Sequence, residues 1–198
     1  AAYFERNAAD WERVRALHLP EADIDSAILT AAGPGPFELM VDVGVGQGRM
    51  IQLFADRVRR AEGFDTSRQM LAIARASLDG LQAKAAVRIG DAYAPPMAPN
   101  SADLVTIHQV LHFLSDPKRA VSEAARLLKP AGRLVIVDFA PHQLEFLREE
   151  HAHRRLGFTD AEITEWCAAA GVPALRTTTL LPKKRDALSV KIWAGDKA

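Results

Sequence analysis

The chain has 198 residues, 48% of them apolar, which suits one domain with a sizeable core. Lys plus Arg and Asp plus Glu each total 25, so no general basic surface points to nucleic acid. The single cysteine excludes a disulfide framework and a cysteine-rich zinc site. No apolar run approaches the ~18 residues of a membrane helix, and the opening residues lack a basic-then-apolar signal pattern. A cytoplasmic protein is the expectation.

In chain order, residues 1–35 read as an N-terminal helical lid or extension. Leu39-Met40-Val41 is a short apolar strand that runs into Val41-Asp42-Val43-Gly44-Val45-Gly46-Gln47-Gly48. Three glycines at alternate positions allow a sharp turn and a close approach to a ligand, ahead of a helix start with unpaired N–H groups. The dinucleotide fingerprint asks for Gly-x-Gly-x-x-Gly, and here the third glycine comes one residue early with Arg49 in its place, which disfavours nicotinamide and flavin. Met50, Ile51, Phe54 and Val58 recur at helical spacing and predict a helix ending near Arg60, followed by a strand over 61–65.

Thr66 or Ser67 is the expected cap of a helix carrying Met70, Leu71, Ala74 and Leu78. Ala85–Ile89 and Ala102–Ile107 read as the third and fourth strands, ending in Gly90-Asp91 and in His108. Asp116-Pro117 is an N-cap with proline in the first turn, and the apolar face Ala120, Val121, Ala124, Leu127 and Leu128 stops at Lys129-Pro130. Arg133–Phe139 is a continuous apolar strand, as a parallel strand covered on both faces should be. The pattern then breaks through 141–158, which holds His151, His153, Arg154 and Arg155 and at least a helical turn. Thr159-Asp160-Ala161-Glu162 is a capping box, Ile163, Trp166, Cys167 and Ala170 share a face, and strands at 174–181 and 187–194 form a terminal hairpin. The expected fold is α/β: a Rossmann-like, seven-stranded, mostly parallel sheet with helices on both faces and an antiparallel C-terminal strand. It forms one domain over 1–198, with the cofactor core at 36–140.

Ligands of such sheets lie beyond the carboxyl ends of the strands, where Asp65, Asp91 and His108 fall. Asp65 follows Gly44 by 21 residues, the separation at which a carboxylate meets ribose hydroxyls. These residues outline a pocket for a nucleoside bearing a short polar chain. Taken together, the glycine loop, Gly63-Phe64-Asp65-Thr66-Ser67-Arg68-Gln69-Met70-Leu71, Gly90-Asp91-Ala92, and the stretches Val110–Pro117 and Glu123–Pro130 make the chain resemble a class I S-adenosylmethionine-dependent methyltransferase.

By that resemblance, Asp42 and the backbone of Gly44 and Gly46 face the methionyl amine and carboxylate, and Gln47 and Gly48 complete the loop. Asp65 and Thr66 hold the ribose, Asp91 and Ala92 meet the adenine, Met70 lies against adenine or ribose, and the His108 carbonyl sits near the methionyl amine. Val45, Gln47 and Ala131 depart from the smaller residues usual at their positions. A narrower resemblance, carried by Asn7-Ala8-Ala9-Asp10-Trp11, His108–His112 and Asp138–Phe158, is to bacterial proteins in which a winged-helix regulator of the arsenical-resistance-repressor type precedes the methyltransferase. A methyltransferase for arsenic is disfavoured, since only Cys167 is present.

The expected reaction is in-line methyl transfer to a small-molecule acceptor, with S-adenosylhomocysteine as product, no metal and no membrane or direct nucleic-acid partner. His108, His112 or Tyr3 would serve as base if the acceptor must lose a proton. Tyr3 and Trp11 could equally pack a short helix or fold over the cofactor, and Arg154 and Arg155 could be a solvated face or touch substrate. A homodimer is expected of a regulator-fused protein. The alternative function is a sensor of S-adenosylmethionine or S-adenosylhomocysteine with little turnover.

Overall fold

The computed structural model describes residues 19–182 and 188–198. Tyr3, Trp11 and the rest of 1–18, with the turn at 183–187, lie outside the described residues. The elements run α1 (Glu21–Ala32), β1 (Phe37–Val43), α2 (Arg49–Leu53), β2 (Val58–Asp65), α3 (Arg68–Ser77), β3 (Ala85–Ile89), β4 (Ala102–His108), α4 (Pro117–Leu127), β5 (Leu128–Phe139), α5 (Phe146–Glu150), α6 (Asp160–Ala169), β6 (Leu175–Leu180) and β7 (Val190–Asp196). The strands form one sheet in the order β3-β2-β1-β4-β5-β7-β6. β7 runs antiparallel to both neighbours, and the other pairs are parallel.

Side-chain alternation along the central strands sends apolar groups to both faces. Met40, Leu104, Val135 and Val137 meet Ile24 and Ile28 of α1, Met50 of α2 and Leu71 of α3. Val41, Val43, Ile107 and Ile136 meet Val121 and Ala124 of α4 and Ile163 of α6. Two helical layers therefore enclose the sheet, as the apolar strands require. α1 is part of this enclosure: Ile24, Ile28 and Ala32 are buried, and its last carbonyls accept from the guanidinium groups of Arg57 and Arg133.

The helix expected to reach Arg60 ends at Leu53. Val58 is the first residue of β2, opposite Phe37, and the Phe37 N–H donates to the Arg57 carbonyl at 2.8 Å. Val58 is buried in this strand as it would have been in a helix, so apolar spacing alone could not separate the two. Ser67, and not Thr66, caps α3 by accepting from the Met70 N–H. Asp116 caps α4, and the full capping box forms at Thr159 and Glu162. β5 begins five residues before the expected Arg133, with an irregular register between the pairings of Ala102 and Leu104.

Candidate active site

The strand order reverses between β1 and β4, and a cleft opens there, beyond the carboxyl ends of β1 to β4. It is a cavity of about 490 Å³, a size that suits a small ligand. Its floor is the loop 44–47. Gly44 has φ +72°, and a Cβ on it would lie 2.4 Å from Val110 Cγ2, so no other residue fits without displacement. Gly63 plays a matching part beneath the loop: it leaves room for Val45, whose Cγ2 lies 2.5 Å from the position a Cβ would take.

Asp65 ties the site together. Its Oδ2 accepts from the Gly46 N–H at 3.0 Å and its Oδ1 from the Ser67 N–H at 2.8 Å, joining the glycine loop to the turn before α3. Each carboxylate oxygen keeps further acceptor capacity toward the cleft. The Gly44 and Val45 N–H groups both donate to the Phe64 carbonyl. The N–H groups of Gly44 and Gly46 are therefore committed within the protein, while the Gln47 N–H has no protein acceptor among the described residues.

Of the residues singled out from sequence, Gly44, Gly46, Gln47, Asp65, Thr66, Met70, Asp91, Ala92 and His108 line this cleft. Asp42, Gly48 and His112 do not. Asp42 stands opposite Thr106 in the β1–β4 register, is 1% exposed, and accepts from the Thr106 hydroxyl at 2.6 Å. Burial, aided by the nearby Asp65 charge and opposed by the Thr106 bond, pushes its carboxyl up to about 7. Gly48, with φ +88°, turns the chain into α2 and faces Leu78. Asp91 lines the cleft and also takes the Tyr93 N–H at 2.9 Å, so it caps this turn while facing the cleft.

His108 is pushed down to about 4, first by burial and then by the Arg49 guanidinium, and is therefore neutral at neutral pH. His112 sits behind the cleft wall, 2% exposed, with Nδ1 2.7 Å from Asp138 Oδ1. Asp138 Oδ1 also accepts the Phe139 N–H, while Oδ2 is buried without a hydrogen-bond partner among the described residues. The His153 ring lies against that of His112, 4.1 Å between centroids and tilted by 30°. Cys167 is fully buried, and desolvation pushes its thiol up to about 12, the behaviour of a core residue. No group of three or more His, Cys, Asp or Glu suited to a metal is found among the described residues. No helix among them is long and apolar enough to cross a membrane.

Arg49, Phe64, Gln109, Val110 and Phe113 also line the cleft and escaped the sequence reading. Arg49 bonds to Glu21 at 2.9 Å and Asp25 at 2.6 Å, joining α1 to the cleft rim. Its position in the residue after the third glycine was the available signal. Gln109 takes φ +54° in the turn after β4, which no side-chain type announces.

Residues 41–136 match the family model described as a methyltransferase domain. The chain is 34% identical over 113 residues to a demethylmenaquinone methyltransferase of Renibacterium salmoninarum, covering 57% of this chain and 46% of that protein. The chain spans from a third to about half the length of the curated relatives it matches. The solved structure of the YcgJ protein of Bacillus subtilis superposes with a TM-score of 0.72 at 20% identity, covering 87% of this chain and 97% of that one. A phosphoethanolamine N-methyltransferase of Haemonchus contortus in complex with S-adenosyl-L-methionine gives 0.75 at 20% identity, covering 88% and 52%. Residues 41–136 are thus similar to a methyltransferase domain, and the sheet that contains them has the Rossmann-like fold of these solved structures.

Proposed function

We propose that the cleft binds S-adenosylmethionine and that the chain transfers its methyl group to a small-molecule acceptor, leaving S-adenosylhomocysteine. The observation that carries this reading is the Asp65 carboxylate, held by Gly46 and Ser67 with acceptor capacity to spare at the edge of a glycine-floored cavity. That is the arrangement a ribose diol needs. Asp91 and Ala92 supply the adenine end, Met70 an apolar face, and the Gln47 N–H a donor for the methionyl carboxylate. Asp42, buried behind the loop, acts on the methionyl amine through charge and through the position of β1 instead of by contact.

The bound sulfonium supplies an activated methyl group. The work left to this chain is alignment of the acceptor at about 3–3.5 Å and exclusion of water. A base is not assigned. His108 is neutral but weakly basic, and His112 is turned to Asp138 behind the cleft wall. Tyr3 lies outside the described residues. Residues 141–158, whose His153 ring lies 5.2 Å from that of the cleft residue Phe113, and Tyr3–Leu19 are proposed as the cover that selects the acceptor. Acceptor-dependent turnover that survives deletion of Tyr3–Leu19 would reject that role. The sensing alternative and the upstream winged-helix domain draw no support from the similar proteins.

Calorimetric titration with S-adenosylhomocysteine tests the cofactor, and a labelled donor with fractionated cell extract tests transfer. Saturable binding and label transfer are expected. Failure to bind, or displacement by NAD(H), would overturn the proposal.

A further inference from the structure

The charges around the cofactor cleft are sorted by position. Asp65 ends β2 and Asp91 follows β3 by two residues, so both acids of the lining stand on the β2–β3 side. Arg49, the first residue of α2, is the one cation among the described lining residues. Its guanidinium is near enough to His108, at the end of β4, to help push that imidazole down to about 4, which leaves the histidine neutral and the arginine as the positive charge of that side. Three strand spacings of about 4.8 Å separate β3 from β4. A ligand laid across the strand ends from β3 to β4 therefore meets two carboxylates first and a guanidinium last.

The guanidinium is held by α1. Its Nη1 donates to Glu21 at 2.9 Å and its Nη2 to Asp25 at 2.6 Å, and neither acid lines the cleft. Those bonds use two of the five N–H groups that a guanidinium carries, and Nε has no acceptor among the described residues. The two acids thus orient the fork and leave it donors to spare. A tie to α1 is an incomplete account of the residue: the Glu21 side chain is 79% exposed, where an ion pair contributes little, and a tie requires no place in the wall of a cleft whose other charges are acids.

We propose that Arg49 is the residue that selects the carboxylate of the cofactor's methionyl end, and so separates S-adenosylmethionine and S-adenosylhomocysteine from adenosine thioethers that lack it. The proposal rests on the S-adenosylmethionine reading and adds a specificity-determining side chain to it. The nucleoside offers hydroxyls and an amine to Asp65 and Asp91, and the far end of the molecule offers its anion to Arg49. A planar fork suits a carboxylate better than it suits a neutral amine or a bare alkyl group. The Gln47 N–H, which also has no protein acceptor among the described residues, takes the second carboxylate oxygen.

Calorimetric titration with S-adenosylhomocysteine and with S-adenosyl-3-thiopropylamine, the same molecule without its carboxylate, reads the contact directly. The parent chain should prefer the first ligand by about tenfold or more, the effect of one charge-assisted contact. Arg49→Gln should weaken S-adenosylhomocysteine roughly tenfold and leave the thiopropylamine within about twofold, so that the preference collapses while the second ligand shows the cleft of the variant to be intact. Equal weakening of both ligands would reduce Arg49 to a tie for α1 and overturn the assignment. So would an affinity for S-adenosylhomocysteine indifferent to the substitution. A parent chain that binds the two ligands equally overturns it with no variant needed. Failure of the parent chain to bind either ligand would instead overturn the cofactor reading.

Discussion

The carboxyl ends of β1 to β3 and those of β4 and β5 meet beside one another yet are built in opposite ways. The first set is made largely of main chain: glycines at 44, 46 and 48 in left-handed conformations, with one carboxylate, Asp65, stitching two loops. The second set is made of side chains: a buried His112–Asp138 pair, a second imidazole tilted against the first and a basic turn hung on the His112 carbonyl. A main-chain cradle has little freedom to vary, because any Cβ at Gly44 collides with Val110. A wall of side chains can be re-cut residue by residue without disturbing the cradle. The same division of labour separates recognition of a constant cofactor from recognition of a variable acceptor.

If the two halves are independent, damage to one should leave the other's ligand untouched. The largest expected effect is His112→Ala, which removes the imidazole at 2.7 Å from Asp138 Oδ1, a carboxyl whose Oδ2 already has no hydrogen-bond partner among the described residues. Stability should fall by about 2–5 kcal/mol, the cost of the cavity left by a buried ring together with that of a buried polar group deprived of its partner. Affinity for S-adenosylhomocysteine should stay within about twofold wherever the variant is folded. Chemical denaturation and calorimetry at low temperature measure the two quantities. A large parallel loss of affinity would show that the halves are coupled.

Gly44→Ala probes the converse. Strain at φ +72° and the clash with Val110 should together cost about 2–4 kcal/mol, and cofactor affinity should fall with stability. Adding Val110→Ala should restore part of the stability by removing the Cγ atoms that clash. A double variant no better than Gly44→Ala alone would assign the whole effect to backbone strain. Next in size, Asp65→Ala should weaken S-adenosylhomocysteine binding by about 1–3 kcal/mol through lost charge-assisted hydrogen bonds. Unchanged affinity would reduce Asp65 to a loop tie and remove the ribose assignment.

The same contrast decides what could be read from sequence. Gly44, Asp65 and Asp91 were legible because main-chain geometry demands particular residue types at fixed spacings from strand ends. The capping box at Thr159 and the cap at Asp116 were legible for the same reason. The α2–β2 boundary was not, since Val58 is buried under either assignment. Nor was the union of His112 with Asp138, which are 26 residues apart and meet only because β4 and β5 pair in the register His108 to Val137. Arg49 was visible only as a fingerprint mismatch, while its acidic partners Glu21 and Asp25 come from a helix that sequence placed in a peripheral extension.

The smallest effect expected of the parent chain lies on the seam between the halves, where β1 and β4 adjoin. Asp42 on β1 has its carboxyl raised from 3.8 to about 7, mainly by burial. The folded state therefore holds a proton that the unfolded chain releases, and this contribution to stability declines as pH rises from 3.8 through 7. His108 on β4 has its pKa lowered from 6.5 to about 4 by burial and then by Arg49. Here the unfolded chain holds the extra proton, so the contribution is complete above pH 6.5 and is lost as pH falls toward 4. Between pH 4 and 6.5 the two slopes oppose, and the parent chain should show little dependence on pH from this pair. Each single variant should expose the other's slope, at no more than about 1.4 kcal/mol per pH unit. Asp42→Asn should gain stability as pH rises through that window, and His108→Asn should lose it. Urea denaturation across the window reads both, and slopes of the same sign in the two variants would mean that these groups do not carry the opposed burial costs assigned to them.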